Sequence, residues 1–63
     1  MSANNYLLIE KIDGKYRLSD IDADGSGGFF ISDDLFDSLE EAVKAANEYM
    51  KTEPVEYGLR IKI

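Results

Sequence analysis

The sequence predicts an α+β domain in which one helix packs on one face of a three- or four-stranded, mainly antiparallel sheet, in the order β-β-(β)-α-β. Three observations predict this fold class: an amphipathic segment that ends before Pro54, an Asp-Gly turn between two apolar runs, and a later segment in which apolar and polar residues alternate. A chain of 63 residues is expected to form one domain, so residues 1–63 are assigned to a single unit.

The segment from Leu39 to Lys51 has the spacing of an amphipathic helix. Ser38 and Glu41 form a capping box, in which each side chain accepts a hydrogen bond from the backbone N–H of the other residue. Pro54 cannot continue a helix and disfavours helical geometry in the residue before it. The apolar residues of the segment recur at steps of three and four, which stacks them along one side: Leu39, Ala42, Val43, Ala46, Tyr49 and Met50.

Asp13 and Gly14 predict a type I′ turn that joins a strand over Asn5–Ile12 to a strand over Lys15–Ile21. A two-residue turn fixes the register, so every cross-strand pair follows from it. The side chains expected to meet the helix are Leu7, Ile9, Tyr16 and Leu18. Those expected on the opposite, open face are Tyr6, Leu8, Ile12 and Ile21, beside Glu10, Lys15 and Arg17.

Two further strands are predicted. Residues Gly28–Ser32 form a short apolar run, and Val55–Ile63 alternates apolar with polar or basic residues at period two. The apolar side of the last strand is expected to face the helix. Because a helix precedes this strand, it is a candidate for parallel pairing with an earlier one. The sequence leaves the strand order open, and residues 1–4 are expected to be a frayed start.

Composition excludes several classes of function. The net charge is −6 and the pI is about 4.3, which disfavours direct binding of nucleic acid or of an anionic membrane. The chain has no His and no Cys, so the usual general base and the best nucleophile are missing, and no enzyme activity is expected. The absence of Cys and of a basic, apolar leader favours a cytoplasmic protein.

Asp20, Asp22 and Asp24 match the first half of a calcium-binding loop, D-x-D-x-D-G. Alternate Asp residues place hard oxygen ligands on one side of the loop, and Gly25 permits the sharp bend. The second half of the motif fails, because the residue that should close the loop with a bidentate carboxylate is Ile31. The interpretations left open are a weak calcium site and an ordinary solvated loop, since Asp and Gly are common turn residues.

The acidic residues are unevenly distributed. Between Leu18 and Lys44 there is no Lys or Arg, and this interval holds eight of the 13 acids. The simple interpretation is solubility, because acids fill turns and cap helices. The functional interpretation is an acidic edge that binds a basic surface of a partner protein. The residues assigned to this edge are Asp20, Asp22, Asp24, Asp33, Asp34 and Asp37.

The open face of the sheet is a second candidate contact surface. Its predicted apolar and cationic residues, Tyr6, Leu8, Ile12, Arg17 and Ile21, are suited to a partner site or a homodimer interface. In size and acidity the chain is similar to phage-encoded or bacterial inhibitors of larger nucleic-acid enzymes. That resemblance implies a small acidic module that occupies a basic, nucleic-acid-binding surface. The alternatives are the weak calcium module and a structural homodimer without a ligand.

Overall fold

The computed structural model describes residues 4–63. The expected frayed start falls mostly on residues 1–3, which lie outside the described part. The elements are β1 (Asn5–Ile12), β2 (Lys15–Asp22), β3 (Gly28–Phe30), α1 (Leu39–Thr52) and β4 (Leu59–Lys62). They form one four-stranded sheet in the order β3-β2-β1-β4, with the helix on one face. The predicted fold class and element order are confirmed.

The hairpin of β1 and β2 has the predicted register. Asp13 and Gly14 both have positive φ, at 50° and 79°, as a type I′ turn requires. Ile12 therefore pairs with Lys15, and the pairing continues to the far end of both strands, where Asn5 is opposite Asp22. β3 pairs antiparallel with β2, and β4 pairs parallel with β1. Parallel pairing of the last strand was one of the arrangements that the sequence allowed.

The core lies between α1 and the two central strands. Its five buried apolar residues are Leu7, Ile9, Leu18, Ala42 and Ala46. The two buried helix residues are alanines, so small side chains form the contact with the sheet. The helix begins after Ser38, whose hydroxyl accepts a hydrogen bond from the Glu41 N–H at 3.2 Å. Among the helices of residues 4–63, none has the length and apolar content to cross a lipid bilayer.

Both outer strands are shorter than the sequence predicts. β3 ends at Phe30 instead of Ser32, and β4 begins at Leu59 instead of Val55. Gly58 has a φ of 76°, a left-handed conformation that breaks the extended backbone before β4. The expectation that the apolar side of this strand would face the helix is only partly correct. Val55 and Leu59 pack against the core, but Ile61 remains 47% exposed because α1 lies mainly over β1 and β2.

Candidate binding surfaces

The sheet face opposite the helix is open to solvent. Within residues 4–63 the single helix packs on the other face, so no second layer covers this side. We call it the outer face. The predicted patch residues all lie on it and are half-buried by their neighbours: Tyr6, Leu8, Ile12, Arg17 and Ile21. Register places further side chains on the same face: Glu10, Lys15, Ser19, Phe30, Arg60 and Lys62.

Two arginines of the outer face lie over aromatic rings. The Arg17 guanidinium is 4.2 Å from the centroid of the Phe30 ring, and the Arg60 guanidinium is 4.2 Å from that of Tyr6. Each contact stabilises the pair by about 0.5–1 kcal/mol at an exposed site. Arg17 is also directly opposite Glu10 in the β1–β2 register, as predicted. The two pairs lie on either side of Leu8, so the positions of the cationic and aromatic groups around this apolar residue are already fixed.

A shallow depression lies on the outer face between β2 and β3. It has a volume of about 400 Å³ and is lined by Ser19, Ile21, Gly28 and Phe30, together with Phe29, whose side chain the register places on the helix side. Gly28 has no side chain to fill it, and a Cβ there would approach the Asp20 carbonyl oxygen. The Ser19 hydroxyl is buried, and no hydrogen-bond partner for it lies among residues 4–63. An uncompensated buried hydroxyl is unusual, because leaving one unpaired costs about 1–3 kcal/mol.

The charges divide the molecule into two parts of opposite sign. The strands place four basic residues on the outer face, Lys15, Arg17, Arg60 and Lys62, and one acid, Glu10; at the end of this face Lys15 is paired with Asp37 of the loop before the helix. The rest of the chain therefore holds three of the 7 bases and 12 of the 13 acids. The outer face is locally positive on a strongly negative molecule. An acidic group of a partner would be attracted to this face, whereas a long polyanion would be repelled by the remainder.

Asp20 is not part of an exposed acidic edge, which corrects the prediction for that residue. It lies on the helix side of β2 and is only 6% exposed. Its carboxylate accepts a hydrogen bond from Asn5 Nδ2 at 2.8 Å and another from the Tyr49 hydroxyl at 2.8 Å. Both oxygens are engaged inside the domain, so Asp20 fixes the position of α1 over the sheet.

Asn5 extends this network to the segment between α1 and β4. Its Nδ2 also donates to the Pro54 carbonyl at 3.2 Å, and its Oδ1 accepts from the Glu56 N–H at 3.4 Å. Burial raises the pKa of Tyr49 to about 12, and the hydrogen bond to Asp20 adds to the increase. No local sequence pattern indicates this network, although the hairpin register places Asp20 opposite Leu7 and therefore on the helix side.

The three aspartates that one interpretation of the Asp-Gly loop uses as calcium ligands do not lie together in the described residues. Asp22 and Asp24 accept hydrogen bonds from Ser26, at 3.2 Å from its hydroxyl and 2.9 Å from its backbone N–H. The hydroxyl and N–H of Ser26 hold the pKa of Asp24 below its ordinary value. Asp20 points away into the buried network. In the part of the chain that the structure describes, no three acidic residues are grouped in a way suited to a metal ion.

The remaining acids occupy the opposite end of the sheet. The Asp37 carboxylate is 3.2 Å from the Lys15 ammonium, beside the hairpin turn. Asp33 and Asp34 are exposed in the loop between β3 and the single bridge that joins Phe36 to β2. Lys15, the partner of Asp37, is seven steps along β2 from Asp22, which is about 23 Å at the usual rise of a strand. The predicted acidic edge is therefore two separate groups and one buried residue.

Comparisons with known proteins add no assignment to these surfaces. Neither a family model, nor a curated protein, nor a solved structure matches the chain. The function is therefore inferred from the geometry and charge of the surfaces themselves.

Proposed function

We propose that the chain is a protein-binding module of the cytoplasm that docks on a larger partner through the outer face. The observation that supports this most strongly is an uncovered sheet face that combines an apolar centre with two arginine–aromatic pairs. Tyr and Arg are enriched among the residues that dominate binding energy at protein interfaces. A flat, preformed face of this type also loses little side-chain entropy on binding, because its cationic groups are already held in place.

The charge pattern indicates the chemistry of the partner. The four bases of the outer face favour a surface with an apolar centre and an acidic rim. Nucleic acid is disfavoured as a ligand although aromatic residues on a sheet face can stack bases. The rest of the chain carries 12 acids, which repel an extended phosphate backbone. No catalytic role is proposed.

Phe29 and Phe30 allow a matched test of this proposal. The two residues are neighbours in β3 and are 58% and 56% exposed, but they lie on opposite faces of the sheet. The immobilised wild-type chain is used to capture proteins from a lysate of the native host, in parallel with Phe30→Ala and Arg17→Glu. A specific partner is expected to be retained by the wild type and lost with both variants. Phe29→Ala is expected to retain it.

Two results would count against docking of a larger partner on the outer face. One is a partner that is lost equally with Phe29→Ala and Phe30→Ala, because the face would then have no special role. The other is a second copy of the chain as the occupant, which is the homodimer hypothesis. Sedimentation velocity at several protein concentrations detects a homodimer directly, and its dissociation by Phe30→Ala would assign the face to self-association.

A second candidate function uses the acids near the start of α1. We call them the helix-entry acids: Asp33, Asp34, Asp37, Glu40 and Glu41. All five are exposed, and Asp37 forms an ion pair with Lys15. In this hypothesis they occupy a basic, nucleic-acid-binding surface of the partner, as a small inhibitor would. Such clusters accelerate association through long-range attraction, and the effect weakens as salt increases.

Charge reversal at two positions separates the second function from the first. Asp33→Lys with Asp34→Lys is expected to slow association with the captured partner and to reduce its salt dependence. The control is Asp24→Lys with Glu56→Lys, which changes the net charge equally at residues outside the helix-entry acids. Equal association rates for the two double variants would show that these acids act only through net charge and form no contact site.

A further inference from the structure

The free edge of β4 carries unpaired backbone groups. β4 is the last strand of the sheet and pairs only with β1 on its inner side. The Leu7 N–H donates to the Gly58 carbonyl at 2.8 Å, which sets the direction of the parallel ladder. Backbone groups of alternate residues point to opposite sides of a strand, so those of Leu59 and Ile61 point away from β1. Within residues 4–63 no segment pairs with them.

The side chains along this edge alternate in chemistry. On the helix side, Ile61 is 47% exposed and continues the apolar surface of half-buried Leu59. On the outer face, Arg60 and Lys62 are exposed and both are cationic. A strand added to the edge would therefore place every second side chain beside apolar groups and the others beside positive charges.

In the described part of the chain, the opposite edge of the sheet offers no comparable site. β3 has only three residues, and beyond it the edge of β2 is closed by the bridge between Tyr16 and Phe36. Edge strands are commonly protected against pairing with other chains by charged side chains, and at β4 these are Arg60 and Lys62. These charges act against a second copy of the same strand. In an antiparallel pair related by two-fold symmetry, each cation would be opposite Arg60 or Lys62 of the other copy, which is destabilising.

We propose that the edge of β4 binds an extended segment of a partner protein in which acidic and apolar residues alternate. The segment would add a fifth strand to the sheet. Its backbone would pair with the N–H and C=O groups of Leu59 and Ile61. Its acidic side chains would lie beside Arg60 and Lys62, and its apolar side chains would cover Ile61. This site goes beyond the outer-face function, because its main anchor is the strand edge and it recognises a linear sequence pattern.

Synthetic peptides test the proposal directly. The probe is an eight-residue peptide in which Glu and Val alternate, labelled for fluorescence anisotropy. Two controls have the same length: Lys alternating with Val, and four Val followed by four Glu. Only the alternating acidic peptide is expected to bind. In the bound state, the backbone amides of Leu59 and Ile61 should become protected from hydrogen exchange, whereas those of Arg60 and Lys62 are already paired with β1.

Variants of β4 identify the binding mode. Ile61→Pro removes an outward N–H and leaves the bonds to β1 available, so binding should be lost, while Ile61→Ala should retain a weaker complex. Lys62→Glu should reduce the affinity for the acidic peptide by about fivefold and increase the affinity for the Lys-Val peptide. The reason is that a cross-strand charge pair contributes up to about 1 kcal/mol. If Ile61→Pro disturbs the strand itself, the effect of Lys62→Glu on the two charged peptides still tests the binding mode.

Three outcomes would overturn the proposal: equal binding of both peptides with the same composition, protection of amides away from β4, or no effect of Lys62→Glu on either charge series. Phe30→Ala separates the edge site from the outer face. Phe30 lies at the far edge of the sheet, so this variant should leave peptide binding unchanged. A failure of the peptide experiments would therefore reject the edge site without deciding whether the outer face binds a partner.

Discussion

Removal of the Tyr49 hydroxyl tests whether the buried Asp20 network holds the helix on the sheet. The Tyr49 hydroxyl is 2.8 Å from the Asp20 carboxylate, and Asp20 is only 6% exposed. A hydrogen bond to a charged group contributes about 1.5–3 kcal/mol, and the partial exposure of Tyr49 reduces this to about 1–2 kcal/mol. Tyr49→Phe should lower the free energy of unfolding by that amount. For a domain of this size the midpoint temperature should fall by about 5–15 °C.

Urea unfolding followed by circular dichroism measures the change. The dependence of the free energy on urea should remain the same, because the variant exposes no additional surface on unfolding. Tyr57→Phe is the matched control: Tyr57 is 52% exposed, and its variant should change stability by less than about 0.5 kcal/mol. If Tyr49→Phe lost no more than Tyr57→Phe, the hydrogen bond to Asp20 would not be a source of stability.

Gly28→Ala should destabilise the domain by about 1–3 kcal/mol in thermal unfolding, because its Cβ would lie 2.5 Å from the Asp20 carbonyl oxygen. Ser19→Ala should be neutral or stabilising in the same assay, since it removes an unpaired buried hydroxyl. Stability should fall as the pH rises from about 10 to 12, because Tyr49 ionises at lower pH in the unfolded chain; Tyr49→Phe should remove this part of the decline. Calcium at several millimolar should leave the amide spectra of residues 20–28 unchanged, and a saturable shift there would contradict the loop geometry.

The sequence predicted those features that depend on local rules. A two-residue turn at Asp13–Gly14 has few allowed geometries, so it determined the register of β1 and β2 and the composition of both faces. The helix was recognisable for the same reason, because its cap at Ser38 and its stop before Pro54 act within one turn. The outer face followed directly from the register, since alternation assigns each side chain to one side.

The features that the sequence did not predict depend on contacts between distant residues. Asp20 was assigned to a loop motif because its neighbours Asp22 and Asp24 are spaced as calcium ligands. Its partners, Asn5 and Tyr49, are 15 and 29 residues away. The acidic edge was wrong as a single surface because nearness in sequence does not give nearness in space. The strand order β3-β2-β1-β4 was also open, since several edges were available to the last strand.

The parallel pairing of β4 has a consequence for solubility. β1 carries two of the five buried core residues, Leu7 and Ile9. Within residues 4–63, β4 is the only strand that covers the edge of β1 opposite β2. If β4 detaches, the bare edge of β1 becomes a template for intermolecular β-pairing. Substitutions that loosen these four residues should therefore produce precipitate well before the helix and hairpin melt. Damage to β4 would be detected first as turbidity, while most of the circular dichroism signal is still intact.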